Sequence, residues 1–365
     1  MKPRSPSVVV VGGGLFGCST AFQLAKRGVH TTLIEPDDFG AHASGNNPGN
    51  LNPIHGTPPA LVPFALHAFG LHCAWAEELA ELGCRDHDLR EVRRIVLAFD
   101  ESEQQALQHA ARSFGGVDGF SASPLDAESL IRIEPRLSRT VLSGLLIEGN
   151  RSVNSRVLNQ SLASSAAGFG ATLMRSRVVD VKRQRDRIVG LHTLGGFVAC
   201  DAVVFATGAW VEKPDAWLNF DSRVTPLKGE MLRLKLSGPG LDHDFTRGLI
   251  SLYRRGVDEC WIGVTQVPAG HDESPTESGR RHLLEAAAEI FPAIRQAKVL
   301  EHSASVRPLR PSGLPLVGRV PGWDNAYIAN GGGGKGVLLS AGVGLAIAEI
   351  VLTGSTGCPV EAFQP

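Results

Sequence analysis

The chain has 365 residues, of which 43% are hydrophobic and 20% charged, with a net charge of −1; this is the balance of a soluble globular protein. A length beyond the usual single hydrophobic core predicts one large domain with a smaller companion. Without a basic stripe or charged tail, there is no electrostatic reason to expect nucleic acid or an anionic membrane as partner.

The six cysteines (Cys18, Cys73, Cys84, Cys200, Cys260 and Cys358) form no CxxC pair and no metal-ligand spacing. That pattern predicts free thiols in a reducing compartment and no metal site.

Taken in chain order, residues 8–11 are four valines. Such a run without alternation is what a strand buried on both faces of a parallel sheet requires. Lys2 and Arg4 ahead of it imitate a signal peptide, but the glycines that follow explain the stretch better. The chain is therefore expected to be soluble and cytoplasmic. Gly12, Gly13, Gly14, Leu15, Phe16 and Gly17 come next, then a helical stretch over 18–27 that Gly28 is placed to end. Residues 31–34 make a second strand, and Glu35 closes it.

Each part of this unit has a physical task. Gly12 permits the tight turn, Gly14 lets the backbone approach a pyrophosphate, and Gly17 allows helix and strand to pack closely. The phosphates would then sit on the helix N-terminus, whose free N–H groups and dipole favour an anion. Glu35, 18 residues after Gly17, can accept hydrogen bonds from the hydroxyls of an adenosine ribose. The glycines alone would mean little in a chain with 42 of them. Strand, turn, helix, strand and acid in register point to a dinucleotide.

Residues 60–75 are apolar but too short to span a bilayer and are interrupted by Pro63, His67 and His72, so no transmembrane segment is expected. Residues 93–99 read as a strand. Residues 201–210 read as a buried strand ending in Ala206-Thr207-Gly208. Residues 231–236 alternate apolar and basic, as a half-exposed antiparallel strand does, and 278–290 form an amphipathic helix stopped before Pro292. Near the C-terminus come 313–318, a strand over 326–329, the glycines 331–334, Lys335, Gly336 and a helix from about 337 to 352.

The strand ending in Ala-Thr-Gly resembles the one that closes the FAD domain of two-dinucleotide-domain flavoproteins. In those proteins a strand and a glycine-rich turn near the C-terminus aim a helix at the flavin. By that resemblance the N-terminus of the last helix would stabilise negative charge on the reduced ring; a flexible loop is the competing reading of 331–336. No second glycine turn with its acid is present, which implies FAD rather than a separate nicotinamide site.

With these segments placed, nearly the whole chain resembles the D-amino-acid oxidase superfamily, in its glycine and sarcosine oxidase branch. The stretches that carry the likeness are 43–49, 153–158, 224–230, 262–265 and Val306-Arg307-Pro308. The Ser44-Gly45-Asn46 loop and the Gly334-Lys335-Gly336 turn also look like the FAD domain of the bifunctional enzyme that matures 5-methylaminomethyl-uridine in tRNA. The methyltransferase of that enzyme is missing from this sequence.

The resemblance implies an α/β fold: a Rossmann-type FAD-binding domain with a second, antiparallel-sheet α+β substrate domain. It places the discontinuous FAD domain at about 1–85, 150–222 and 300–365, and the substrate domain at 86–149 and 223–299. It implies non-covalent FAD held by Gly12, Gly14, Leu15, Phe16, Gly17, Glu35, Ser44, Asn46, Asn47, Gly49, Val178, Thr207, Gly208, Gly333, Gly334, Lys335 and Gly336. For Asn46, Asn47 and Asn52, bonds to flavin or pyrophosphate compete with plain turn formation. His42 and His55 match no covalent flavin attachment and read as loop histidines.

The implied reaction is oxidation of a small amino acid or secondary amine, with hydride passing to flavin N5 and an imine left to hydrolyse in water. Such chemistry needs positioning more than a general base. Arg307 holds the Arg-Pro position that binds substrate carboxylate in glycine and D-amino acid oxidases, and a guanidinium fixes a carboxylate in one plane. Arg310, three residues on, reads as paired or solvated.

Ser251 stands where glycine oxidases often have a tyrosine. Tyr253, on the same strand face, either substitutes for that tyrosine or is a core or rim residue. Lys335 either reaches the flavin pyrimidine edge or is solvated. Gly331-Gly332 and Ser312-Gly313 depart from the family's common Gly-His and Asp-Gly. A carboxylate-bearing substrate and reoxidation by oxygen, a quinone or a partner protein follow, with homo-oligomerisation left open. The rival readings are a 2-hydroxy-acid oxidoreductase, a tRNA-type amine oxidase domain, and the flavin subunit of a heteromeric amine dehydrogenase.

Overall fold

A computed structural model of the chain describes residues 6–365; Lys2 and Arg4, which lent the N-terminus its likeness to a signal peptide, lie outside the described residues. The chain forms two units: Met1–Leu89, Val153–Leu227 and Val306–Pro365 make unit 1, and Arg90–Ser152 with Lys228–Ser305 make unit 2.

Unit 1 is built on six strands, β1 (Ser7–Val11), β2 (His30–Glu35), β3 (Thr172–Arg175), β4 (Ala202–Phe205), β5 (Leu316–Arg319) and β6 (Ala326–Asn330), in the spatial order β5-β6-β4-β1-β2-β3. All neighbours are parallel except β5 with β6. Every residue of β1 is buried, which explains why its valines show no polar alternation. The sheet's side chains divide by parity. Val8, Val10, Ala202, Val204, Ala206, Tyr327 and Ala329 join the core under helices α1 (Leu15–Lys26), α2 (Val62–Glu81), α3 (Ser155–Gly168) and α4 (Gly336–Thr353). Val9, Val11, Val203, Phe205, Ala326 and Ile328 join a second core with Val181, Ile188 and Leu191. The latter belong to a separate three-stranded antiparallel sheet, Val178–Gln184, Arg187–Thr193 and Gly196–Ala199.

Helix α1 crosses α4 at unusually close range. The Ser19 hydroxyl donates to the Ser340 carbonyl at 2.7 Å, and a Cβ at Gly344 would lie 1.8 Å from Ser19 Oγ. Only glycine fits there, so the approach of the two helices is set by one residue.

The apolar stretch at 60–75 differs from expectation. Helix α2 continues through 20 residues to Glu81, with Pro63 tolerated in its first turn. Pro59–Glu81 and Gly333–Thr353 are both long and apolar enough to cross a membrane, so the argument from short length fails for the first. Phe64 and Ala68 of α2 pack on α4 at Gly342, where a Cβ would meet Phe64 Cζ at 2.8 Å.

His72, taken in the sequence as an interruption, is fully buried on this helix. Its Nε2 lies 3.0 Å from the carbonyls of both Val337 and Leu338 in the first turn of α4. Burial pushes its pKa down to about 4, so it stays neutral in the fold and Nε2–H donates. An unfolded chain protonates this histidine first as pH falls. Its contribution is therefore intact above about pH 6.5 and is lost as pH drops towards 4. Over that window His72 should cost wild type roughly 3 kcal/mol of stability. A His72→Gln variant, which keeps a donor but does not titrate, should show a flatter melting-temperature profile between pH 6.5 and 4. Parallel profiles would remove His72 as the cause.

Unit 2 is an eight-stranded sheet in the order Lys298–Leu309, Thr225–Lys235, Glu259–Gly263, Ile250–Arg255, Asp244–Arg247, Arg94–Ala98, Ser143–Glu148, Ser121–Asp126. From Thr225–Lys235 to Ser121–Asp126 the neighbours are antiparallel, except where Asp244–Arg247 runs parallel to Arg94–Ala98. Leu232, Leu234, Leu252, Cys260 and Ile262 share a core with Leu283, Ala287 and Ile290 of helix Glu277–Ile290. Arg233 and Lys235 alternate to the opposite face. Thr276 caps that helix by accepting from the Gly279 N–H.

Candidate functional site

The glycine turn after β1 is built by contacts that exclude side chains. Gly12 has φ +111°, and a Cβ there would lie 2.3 Å from the Ala206 carbonyl oxygen. A Cβ at Gly17 would lie 1.8 Å from the Gly12 carbonyl oxygen. Gly14 is the N-cap of α1, offers no side-chain cap, and is followed by a first turn without acidic residues. The positive end of the helix dipole is thus left uncompensated, as an incoming phosphate requires. One amide there is engaged: Leu15 N–H donates to Ser44 Oγ at 2.9 Å. Asn159, buried on α3 and not singled out from the sequence, holds the turn from behind by donating to the Gly13 carbonyl at 3.1 Å.

Glu35 is buried at the end of β2, where Oε2 accepts from Gly13 N–H at 2.6 Å and Oε1 from Asp37 N–H at 3.0 Å. These two bonds fix the carboxylate beside the glycine turn and leave lone pairs for ribose hydroxyls. Arg175 pairs with Glu35 across β3 and β2, and Ser176 N–H donates to the Glu35 carbonyl at 2.9 Å. Val178 follows in the same segment, buried in the core that contains Ile34 and Val11.

The loop after β2 uses its asparagines on itself. Asn46 Nδ2 donates to the Ala41 carbonyl, and its Oδ1 accepts from Arg156. Asn47 Nδ2 donates to the carbonyls of Ala43 and Ser44 while Oδ1 accepts from Gly49 N–H. Asn52 exchanges two bonds with the His55 backbone. The turn-forming reading therefore accounts for these bonds of all three amides. Gly49, at φ +71°, would place a Cβ 1.8 Å from the Val153 carbonyl oxygen, so it docks the loop on the chain entering α3.

After β4, Thr207 Oγ1 is buried without a hydrogen-bond partner among the described residues, and Gly208 has φ +59°. Trp210 lies against His42 with ring centroids 4.5 Å apart.

The glycines after β6 are ordered by packing. Gly332 would place a Cβ 2.9 Å from Phe16 Cζ, which joins this turn to the first glycine motif. Gly333–Lys335 is a single 3-10 turn leading into α4, with Gly333 at φ +50° and no acidic residue in the first turn of α4. Gly334 stands in that turn and Gly336 opens α4, and a Cβ at either would meet nothing within 4 Å.

Lys335 is half-buried rather than simply solvated. Its Nζ donates to the carbonyls of Asn52 and His55 at 2.8 and 2.9 Å, because the loop turns those oxygens towards it. Arg310 is paired rather than solvated: it donates to the carbonyls of Ser222, Leu314 and Pro315.

Arg307 lies half-buried in strand Lys298–Leu309, within the unit 1 segment that begins at Val306. Tyr253 belongs to unit 2, buried in strand Ile250–Arg255, with the guanidinium groups of Arg94 and Arg255 at 5.8 and 5.9 Å from its ring centre. Ser251 is also buried, its hydroxyl 2.9 Å from that of Thr246.

Unit 1 thus brings together an uncapped helix start, a cradle too narrow for a Cβ, a fixed acid and an orphaned buried hydroxyl. This is a donor and acceptor set that fits FAD. Residues 7–350 match the family described as FAD dependent oxidoreductase, DAO. The chain belongs to the D-amino-acid oxidase superfamily.

Within that family it is 32% identical over 362 residues to glycine oxidase of Geobacillus kaustophilus, covering 98% of this chain and 96% of that protein. It is 27% identical to glycine oxidase of Bacillus subtilis, covering 96% and 94%. The crystal structure of glycine oxidase from Geobacillus kaustophilus superposes with a TM-score of 0.92 at 30% identity, over 99% of this chain and 98% of that one. An iminodiacetate oxidase from Chelativorans shares the fold at TM-score 0.89 and 24% identity. The protein is an FAD-dependent oxidoreductase of the glycine oxidase-like branch, and its chemistry is oxidation of an amine or amino acid.

Proposed function

We propose that the protein oxidises a small amine that carries a carboxylate, of the glycine, sarcosine or D-amino-acid type. The observation that carries this reading is the end-to-end similarity to glycine oxidases, supported by an Arg-Pro pair at 307–308 in the strand that enters unit 1.

The bound FAD supplies a hydride acceptor. Arg307 holds the substrate carboxylate through two parallel N–H bonds, which fixes where the α-C–H points. The amine binds neutral, so no residue is needed as base in the hydride step, and the imine product hydrolyses in water. Lys335 acts as a positioning residue, by holding the loop at Asn52 and His55 against the turn that starts α4. The start of α4, free of acidic residues, would favour negative charge on a flavin held there.

Turnover with glycine, sarcosine or a D-amino acid should release ammonia or a primary amine into the medium. If 2-hydroxy acids are consumed and the amino acids are not, the amine reading is wrong while the family stands.

A further inference from the structure

Asn330, the last residue of β6, is 1% exposed. Its Oδ1 accepts from Gly331 N–H at 2.8 Å, yet its Nδ2 is buried with no hydrogen-bond partner among the described residues. An orphaned buried amide costs free energy comparable to a lost hydrogen bond, so a ligand is the natural place to look for its acceptor.

The parity of the sheet places it. In β4 and β6 the register pairs Val203 with Ala326, Val204 with Tyr327 and Phe205 with Ile328. Ala206 and Ala329 belong to the core under the helices, whereas Phe205 and Ile328 belong to the opposite core. Alternation within β6 turns Asn330 to that opposite face, and the register, extended two residues past the last residue of β4, sets Thr207 beside it at the carboxyl ends of the two strands. Thr207 Oγ1 is itself buried and partnerless. Two neighbouring orphaned groups, a hydroxyl and an amide donor, make one polar seat at the edge where open α/β sheets bind ligands.

Topology says which part of the cofactor reaches it. The strand order β6-β4-β1-β2 sets Glu35 at one end, the glycine turn next, and Thr207 and Asn330 beyond. With the adenosine ribose at Glu35 and the pyrophosphate at the start of α1, the other half of the dinucleotide extends over β4 and β6. We propose that Asn330, together with Thr207, is a positioning pair for the ribityl-flavin half of FAD, donating to its hydroxyl or ring oxygens. This rests on the placement of FAD in unit 1 and not on the identity of the substrate.

The full-length chain, stripped of flavin and reconstituted, separates this role from a structural one. Asn330→Asp keeps an oxygen for Gly331 N–H and removes the Nδ2 donor, and Thr207→Val removes the hydroxyl at nearly constant shape. For each variant the dissociation constants of FAD and of ADP, which carries only the adenine half, are measured by calorimetry. The FAD constant should rise about tenfold, with the ADP constant unchanged. Equal weakening of ADP, as a general packing defect or charge repulsion from Asp would give, overturns the assignment, and so does unchanged FAD affinity. Should Asn330→Asp fail to fold, Thr207→Val is read by the same two constants. No substrate enters the measurement, so its failure is distinct from failure of the amine-oxidation reading.

Discussion

Arg307→Leu is expected to weaken use of a carboxylate substrate by ~2–5 kcal/mol, roughly a 30- to 4000-fold loss in kcat/KM. The loss comes from removing two charge-assisted bonds and leaving the substrate carboxylate without its partner ion. Flavin content should not change, since Arg307 lies outside the glycine turn, the loop after β2 and the turn before α4. Arg307→Lys should recover only part of the loss, because a point charge does not reproduce the planar fork. Kinetics unchanged in Arg307→Leu would take this residue out of the site.

Gly17→Ala should have the larger effect on the protein itself. The new methyl would meet the Gly12 carbonyl oxygen at 1.8 Å and its carbon at 3.0 Å, and neither is the far end of a flexible side chain. Relief demands that β1 and α1 move apart, at a cost of about 3 kcal/mol, the upper end for overpacking. The same movement opens the phosphate cradle. The variant should purify colourless with a lowered melting temperature. Gly28→Ala, where a Cβ meets nothing within 4 Å, should pay only the strain of its φ of +76° and keep its flavin. A yellow, fully loaded Gly17→Ala protein would mean that close packing at this turn is not what holds the cofactor.

How far the sequence could be read depended on whether a residue's environment is local. The β1-α1-β2 unit was legible to within about three residues at each boundary, because strand, turn and helix signals there are short-range and agree with one another. The half-exposed strand at 231–236 was legible for the same reason, since period-two alternation is written into the chain. The apolar stretch at 60–75 was read as too short to span a bilayer, because an apolar count stops at Trp75 while the helix that contains it runs on through Glu77, Glu78 and Glu81.

At the site, the glycines and Glu35 carry their roles in their spacing. The asparagines 46, 47 and 52 do not, because the same amide serves a ligand or its own turn, and only the folded loop decides. Lys335 was ambiguous for the same reason, its partners lying 280 and 283 residues away. His72 was legible only as an interruption and Asn330 not at all, because the burial that gives each its weight is set by tertiary packing.

The central claim, that this flavoprotein oxidises a carboxylate-bearing amine, is tested most directly by titrating the yellow holoenzyme in the absence of oxygen. A panel of amino acids, secondary amines and 2-hydroxy acids is added while the flavin absorbance is followed. The expected result is bleaching by glycine, sarcosine or a D-amino acid, and none by the corresponding hydroxy acids. A flavin that stays oxidised with every amine in the panel, or that is bleached by hydroxy acids alone, would contradict the claim.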